Sequence, residues 1–184
     1  MPNFRDYEVA WISPEGSEYR KDFYERQCAS GTDPLLANPT VEELVAVLEK
    51  HNPQSIIEIG CGFGRLLEPI AKHFMGTAIA GCDVSKDMLD LCSEDLVTAE
   101  VDICKPGTEE ILNTRWDVAY CRGVFMYFDR HQIRTAMQTI SLMVTKKIII
   151  YEWDVVCHRM RDVLTQYIDG ESKWEYYSLT QEDE

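Results

Sequence analysis

Five apolar, β-branched runs of strand length recur along the chain: SIIEI (55–59), TAIAGCD (77–83), VTAEVD (97–102), WDVAYCR (116–122) and KKIIIYEW (146–153). Helix-patterned stretches lie between them. TVEELVAVLEKHN opens with Thr40 and has Glu43 three residues later, a capping box, and its Val41, Leu44, Val45 and Leu48 form one apolar stripe. DRHQIRTAMQTISLMV repeats the pattern through Ile133, Met137, Ile140 and Val144. Strands that alternate with helices pair in parallel, because a parallel neighbour needs a crossover of helix length. The expected fold is therefore a doubly wound, mostly parallel α/β sheet with helices on both faces, an α/β/α sandwich. Such sheets bind ligands outside the carboxyl ends of their strands.

The chain has 184 residues, enough for one domain with a proper core and too few for two. With 45% hydrophobic and 27% charged residues it has the composition of a soluble globular protein. No apolar run approaches the roughly 20 residues of a spanning helix, and MPNFRDYEVAWISPEG lacks the layout of a signal peptide, so no membrane partner and a cytoplasmic location are expected. The seven cysteines are scattered singly, without a CxxC pair or histidines at ligand spacing; they are expected to be reduced, and no metal is expected. A formal charge of −14 repels phosphate backbones, and the basic patches TKK (145–147) and HRMR (158–161) are short. Nucleic acid is thus not the expected partner. The acidic field favours cationic ligands.

The first strand leads into the most informative turn. Gly60, Gly62 and Gly64 remove side chains where strand passes into helix, so a ligand can lie against the backbone. A dinucleotide fingerprint would place its third glycine at position 65, which holds Arg65. Glu58, a carboxylate inside the strand, suits an ammonium or sulfonium better than a pyrophosphate. The turn alone is equally compatible with a plain tight connection. The second strand ends in Asp83, 19 residues past Gly64, where a carboxylate can accept both hydrogen bonds of a ribose diol. The plain alternative is that Asp83 precedes a helix whose N-cap is Ser85. The third strand ends in Asp102, an acceptor beside apolar Ile103, a pairing that suits an adenine.

The phrases IIEIGCGFGRLLEPIAK, GCDVSKDMLDLC, AEVDIC and WDVAYCRGVFMYF, in that order and spacing, resemble the class I methyltransferases that use S-adenosyl-L-methionine. The resemblance covers about residues 40 to 153, and its most specific pieces are the ExGxGxG turn and DVSKDML. It implies a Rossmann-like fold and methyl transfer by in-line displacement. By position it implies that Gly60, Cys61, Gly62 and Gly64 line the methionine and ribose side of the cofactor, with Glu58 ordering the turn. Asp83 would hold the ribose hydroxyls, Val84 and Met88 would flank the adenine, and Asp102 and Ile103 would meet its polar edge. Arg122 and Gly123 match the place where the backbone approaches the methionine end. A base for the acceptor is harder to find. His131 and His158 are the candidates, although a lone histidine is more often a helix-surface or satisfied core residue, while His51 and His73 attract no catalytic reading. Glu152 and Asp154 end the fifth strand at the edge where an acceptor would lie, though Glu152 could equally cap a loop, and Tyr127 and Phe128 could wall the acceptor or simply be core. Family members that methylate base amines carry an Asp or Asn, Pro, Pro, aromatic sequence after the fourth strand; YCRGVFMYF lacks it, which leaves a small molecule as the expected acceptor.

The flanks depart from the pattern. The single domain 1–184 divides into an N-terminal segment (1–38), a cofactor-binding core (39–153) and a shortened C-terminal part (154–184). In relatives the first segment folds over the cofactor, so the resemblance adds Tyr19 to the cofactor-binding set and makes Trp11 a lid residue. Tyr19, Phe23 and Tyr24 lie on an expected helix that could equally be packed on the body, with a Gly, Pro and Asn loop behind it. After the fifth strand there is room for a helix at about 155–168 and a strand, KWEYYSL, but not for the family's last antiparallel strand. Either KWEYYSL takes the vacant place beside the fifth strand, or a second copy covers that edge in a homodimer. The tail TQEDE is expected to be solvated. Two other functions compete with the methyltransferase: a non-catalytic S-adenosylmethionine-binding protein and a nicotinamide-dependent oxidoreductase.

Overall fold

The computed structural model describes residues 8–29, 39–108, 115–167 and 173–179. The loop behind the first helix (31–38) and the tail TQEDE (180–184) lie outside the described residues. A π-helical turn, Glu8–Ile12, and a 3-10 turn, Pro14–Gly16, lead into α1, Ser17–Ala29. The elements that follow are α2 (Val41–Glu49), β1 (Ser55–Ile59), α3 (Leu67–His73), β2 (Ala78–Asp83) and α4 (Lys86–Leu89). Next come β3 (Thr98–Glu100), β4 (Trp116–Arg122), α5 (Arg130–Met143) and β5 (Val144–Glu152). The described chain ends with α6 (Asp154–Tyr167) and β6 (Trp174–Ser178).

The six strands form one sheet in the order β3-β2-β1-β4-β5-β6, and every pairing in it is parallel. The order reverses beside β1, so the crevice outside its carboxyl end is the ligand position such sheets provide. The pleat sends alternate residues of each strand to opposite faces. Ile57, Ile59, Ala119, Cys121, Ile148 and Ile150 share one core with Ile133, Met137 and Ile140 of α5 and Met160 and Val163 of α6. Ile56, Val118, Tyr120, Ile149 and Tyr151 share the other with Leu44, Val45 and Leu48 of α2 and Ile70 of α3. Central strands buried on both faces explain why their sequences are continuously apolar.

The capping box expected at Thr40 is present: Glu43 N–H donates to Thr40 Oγ1 at 3.1 Å and Thr40 N–H to Glu43 Oε2 at 2.8 Å. Asp129 and Gln132 form a second box at the start of α5, which fixes its entry from the loop after β4. Three expectations need correction. Val144 begins β5 rather than ending α5, because helix passes into strand without a loop. The third strand is only Thr98–Glu100, so Asp102 falls in the following turn, where its Oδ1 accepts the Cys104 N–H at 3.0 Å. The fifth strand starts at Val144, two residues before KKIIIYEW.

β6 takes the place beside β5, in register from Ile148↔Trp174 to Glu152↔Ser178. The strand is held by cross-strand pairs: Lys147 Nζ meets Glu175 Oε1 at 2.9 Å, and the rings of Tyr151 and Tyr177 stack at 4.8 Å. The edge of β5 is thus covered by the chain's own C-terminal segment.

Candidate functional site

A cavity of about 340 Å³ opens at the carboxyl ends of β1, β2 and β4. The glycine turn forms part of its wall through Gly60 and Gly62. Gly60, Gly62 and Gly64 have φ of +71°, +53° and +82°, a backbone conformation that L residues rarely adopt. Their surroundings differ. A Cβ on Gly60 would lie 2.4 Å from Val124 Cγ2, and one on Gly64 2.8 Å from Leu96 Cδ1, whereas one on Gly62 meets only Met88 Cε at 3.9 Å. Gly60 and Gly64 let the turn pack; Gly62 keeps its cavity side bare. The end of β2 ties the turn down, since Gly60 and Cys61 N–H both donate to the Cys82 carbonyl, at 2.7 and 3.0 Å.

Asp83 joins these elements. Its Oδ2 accepts the Gly62 N–H and its Oδ1 the Ser85 N–H, both at 2.8 Å, and the carboxylate lines the cavity. Burial raises its pKa, while the backbone N–H groups of Ser85, Gly62 and Val84 oppose that shift. Ser85 is the N-cap of α4, yet its hydroxyl makes no capping bond; the capping position is held through Asp83 instead. Val84, Met88 and Ile103 add apolar lining to the cavity, and Arg122 and Gly123 line it from the end of β4. Gly123, with φ +64°, donates to the Tyr151 carbonyl at 3.0 Å.

Of the residues singled out in the sequence, Tyr19, Gly60, Gly62, Asp83, Val84, Met88, Ile103, Arg122 and Gly123 line this one cavity. Glu58, Cys61, Gly64 and Asp102 do not. Glu58 is on the pleat face of Ile56 and Tyr120, only 3% exposed, and the Tyr120 hydroxyl donates to its Oε2 at 3.0 Å. Burial pushes its pKa up to about 8, against the pull of Tyr120 and Arg65, so it is an uncharged acid beneath the turn at neutral pH. Asp102, in its turn, pairs with Lys105 at 3.3 Å. Glu152 is fully buried; its Oε1 accepts the Phe125 N–H at 2.6 Å, which fixes the segment after β4, and burial raises its pKa to about 7. His131 and His158 are exposed on α5 and α6 and neither lines the cavity. The side chain of Asp154 lies outside the described residues.

The N-terminal segment supplies part of the cavity wall. Trp11 contacts the rings of Tyr19, Phe23 and Tyr127 edge-on at 5.7, 5.5 and 5.3 Å, and all four line the cavity. Tyr24 reaches Phe63 of the glycine turn at 5.0 Å. Arg20 latches α1 to α4: its Nη2 and Nε meet Asp87 Oδ2 at 2.6 and 3.0 Å, and its Nη1 donates to the carbonyls of Ala10 and Ser13. A fork that ties α1 to α4 and to the turn before it should control how readily α1 separates from the body. Arg20→Met is expected to speed amide exchange of residues 17–26 roughly tenfold, the equivalent of losing a charge-assisted hydrogen bond, while β1, β4 and β5 stay protected. Unchanged exchange in α1 would remove Arg20 as a latch.

Sequence reasoning passed over Arg26, Met126, Trp153 and Leu179, all of which line the cavity. Arg26 had a signal, since it continues the Tyr19, Phe23 stripe at helical spacing. Leu179 had none, because its place depends on where β6 docks.

Residues 57–147 match a family model described as a methyltransferase domain. Among curated proteins the chain is similar to the rRNA N(6)-adenosine-methyltransferase metl-5 of Caenorhabditis elegans, 30% identical over 123 residues, 65% of this chain and 55% of that one. It is also similar to the malonyl-[acyl-carrier protein] O-methyltransferase of Halalkalibacterium halodurans, 30% identical over 87 residues, 44% of this chain and 32% of that one. The chain spans about half the length, or less, of these relatives. Among solved structures, the plantazolicin methyltransferase BpumL in complex with SAH superposes with a TM-score of 0.58 at 19% identity, covering 79% of this chain and 56% of that one. Magnesium protoporphyrin IX methyltransferase from Synechocystis PCC 6803 with bound SAM gives 0.54 at 17% identity, covering 68% and 65%. At these identities the likeness is one of fold.

Proposed function

Residues 57–147 belong to the class I methyltransferases that use S-adenosylmethionine, and from that premise we propose that the protein methylates a hydroxyl, amine or similar nucleophile of a small molecule. The observation that carries this reading is the convergence of the bare glycine turn, Asp83 and an aromatic lid on one cavity. The residues fit the cofactor. Gly62 leaves its cavity side open, and Asp83, though held by backbone N–H groups, keeps lone pairs for a hydroxyl donor. Asp83 would hold the ribose hydroxyls, Val84, Met88 and Ile103 the adenine, and Arg122 and Gly123 the methionine end. S-adenosylmethionine, when bound, supplies an activated methyl group on a positively charged sulfur.

The chain's own contribution is then placement. Trp11, Tyr19, Phe23 and Tyr127 form an apolar lid that excludes water and offers flat surfaces to an acceptor. No histidine or lysine is among the described residues lining the cavity, so no side-chain base is assigned. Alignment of two held reactants can by itself supply on the order of 7–11 kcal/mol of a barrier. The Caenorhabditis elegans relative is named for rRNA adenosine, but this chain's formal charge of −14 and its RGVFMYF after β4, without the proline pair, favour a small acceptor.

Calorimetry with S-adenosylhomocysteine and NAD, followed by S-adenosylhomocysteine release from labelled cofactor across panels of small hydroxyl and amine acceptors and of adenosine-containing RNA, tests the reading. One saturable site for S-adenosylhomocysteine and turnover with a small acceptor are expected. Turnover only on RNA, binding without turnover on any panel, or saturation by NAD instead would each overturn it.

A further inference from the structure

Two thiols from separate elements meet beneath the glycine turn. Cys61 lies between Gly60 and Gly62 and is 5% exposed, while Cys92, in the segment after α4, is partly exposed. Both S–H groups converge on one acceptor, the Gly62 carbonyl, Cys92 Sγ at 3.4 Å and Cys61 Sγ at 3.8 Å. The surroundings are tight: a Cβ on Gly81 would lie 2.7 Å from Cys61 Sγ, and one on Gly64 3.4 Å from Cys92 Sγ. Neither sulfur lines the cavity, but the residues on both sides of Cys61 do. The pair is therefore in contact with the binding surface through the backbone alone.

We propose that Cys61 and Cys92 form an oxidisable dithiol, a modification site for hydroperoxides, whose closure to a disulfide reshapes the glycine turn and weakens cofactor binding. The effect on binding rests on the reading of the cavity given above; the bridge does not. Cys92 is the attacking sulfur, being the more exposed of the two. Interaction with Cys61 holds its thiol below the usual range, against burial and Asp83, while Cys61 itself is raised by the same interaction and by burial. The Cys92 thiolate attacks the peroxide oxygen, the O–O bond breaks, and a sulfenic acid forms as hydroxide or alkoxide leaves and takes up a proton. The Cys61 sulfur then attacks the Cys92 sulfur, the S–O bond breaks, and water leaves with the Cys61 proton. Two electrons pass from the two thiols to one peroxide. The bridge draws the sulfurs to covalent distance and removes both S–H donors from the Gly62 carbonyl, so the strain falls on the turn that walls the cavity.

The test treats the full chain with hydrogen peroxide, maps peptides under non-reducing conditions and titrates S-adenosylhomocysteine by calorimetry before oxidation, after it, and after dithiothreitol. A linked peptide pair containing residues 61 and 92 is expected, with binding roughly tenfold weaker or worse in the oxidised protein and restored on reduction. Cys92→Ser should bind like the reduced protein with and without peroxide. Free thiols at both positions, or linkage to other cysteines, would overturn the site; a Cys61–Cys92 bridge with unchanged affinity would overturn its coupling to binding. If the reduced protein binds no S-adenosylhomocysteine, the functional reading and the coupling both fail, and the peptide map still decides the bridge.

Discussion

Gly60→Ala is expected to destabilise the protein by about 2–4 kcal/mol, while Gly62→Ala, two residues away, costs only about 1 kcal/mol and acts on binding instead. Both positions have positive φ, so each alanine bears the left-handed strain. What separates them is the space beside them. At Gly60 the new methyl meets Val124 Cγ2 at 2.4 Å, and a β-branched side chain has little rotameric freedom with which to move away. At Gly62 the nearest atom is Met88 Cε at 3.9 Å, an ordinary contact at the end of a flexible side chain. The Gly62 methyl enters the cavity that the proposed cofactor occupies, so its S-adenosylhomocysteine affinity should fall roughly tenfold or more. Urea unfolding and calorimetry on the two variants separate the effects. Val124→Ala in the Gly60→Ala background should relieve the clash and leave the backbone strain, giving a coupling of about 1–3 kcal/mol. Equal destabilisation by the two single alanines would show that the approach of Val124 does not govern the turn.

That contrast also marks how far the sequence could be read. The glycine spacing announced a bare turn, the apolar runs 55–59 and 116–122 announced sheet strands covered by helices, and the stripe through Ile133, Met137 and Ile140 announced a helix packed by one face, because local pattern and final packing agree there. Asp83 was legible for the same reason: it ends a strand whose parallel neighbours put it on the ligand rim. Glu58 was not. Its position in the strand suggested a charge near the ligand, but pleat parity places it on the Tyr120 face, and burial there keeps it protonated. Asp102 escaped because three residues of β3 suffice to pair with β2, leaving the rest of the run to turn. Leu179 depends on β6 lying parallel beside β5, a long-range contact with no local signature. The N-terminal wall of the cavity was half legible. Its aromatic residues were visible, whereas the Arg20–Asp87 latch that orients them joins positions 67 apart.

Raising the pH from about 5.5 to about 8.5 should lower the stability of the protein steadily, and two buried glutamates should account for most of the slope. Glu58 has a folded pKa of about 8 and Glu152 of about 7, both pushed up chiefly by burial from an ordinary value of 4.5. Asp83 is raised as well. The sign follows from proton counting. Below the unfolded value both states hold the protons and no difference arises. Between the unfolded and folded values only the native state keeps them, so stability falls as pH rises, by at most about 1.4 kcal/mol per pH unit for each group. Above the folded value the full penalty is present. Asp117, whose carboxyl is lowered by Lys146, and Glu175, lowered by Lys147 against its own burial, contribute with the opposite sign, but only in the acid range below that window. Glu58→Gln keeps an acceptor for the Tyr120 hydroxyl and Glu152→Gln one for the Phe125 N–H, while neither can ionise. Each should flatten its part of the curve, Glu152→Gln mainly up to about pH 7 and Glu58→Gln up to about pH 8, with the double variant nearly level. Urea midpoints across the range decide it: a wild-type curve that rises with pH, or Gln variants that keep its slope, would mean that the two acids are ionised in the native state.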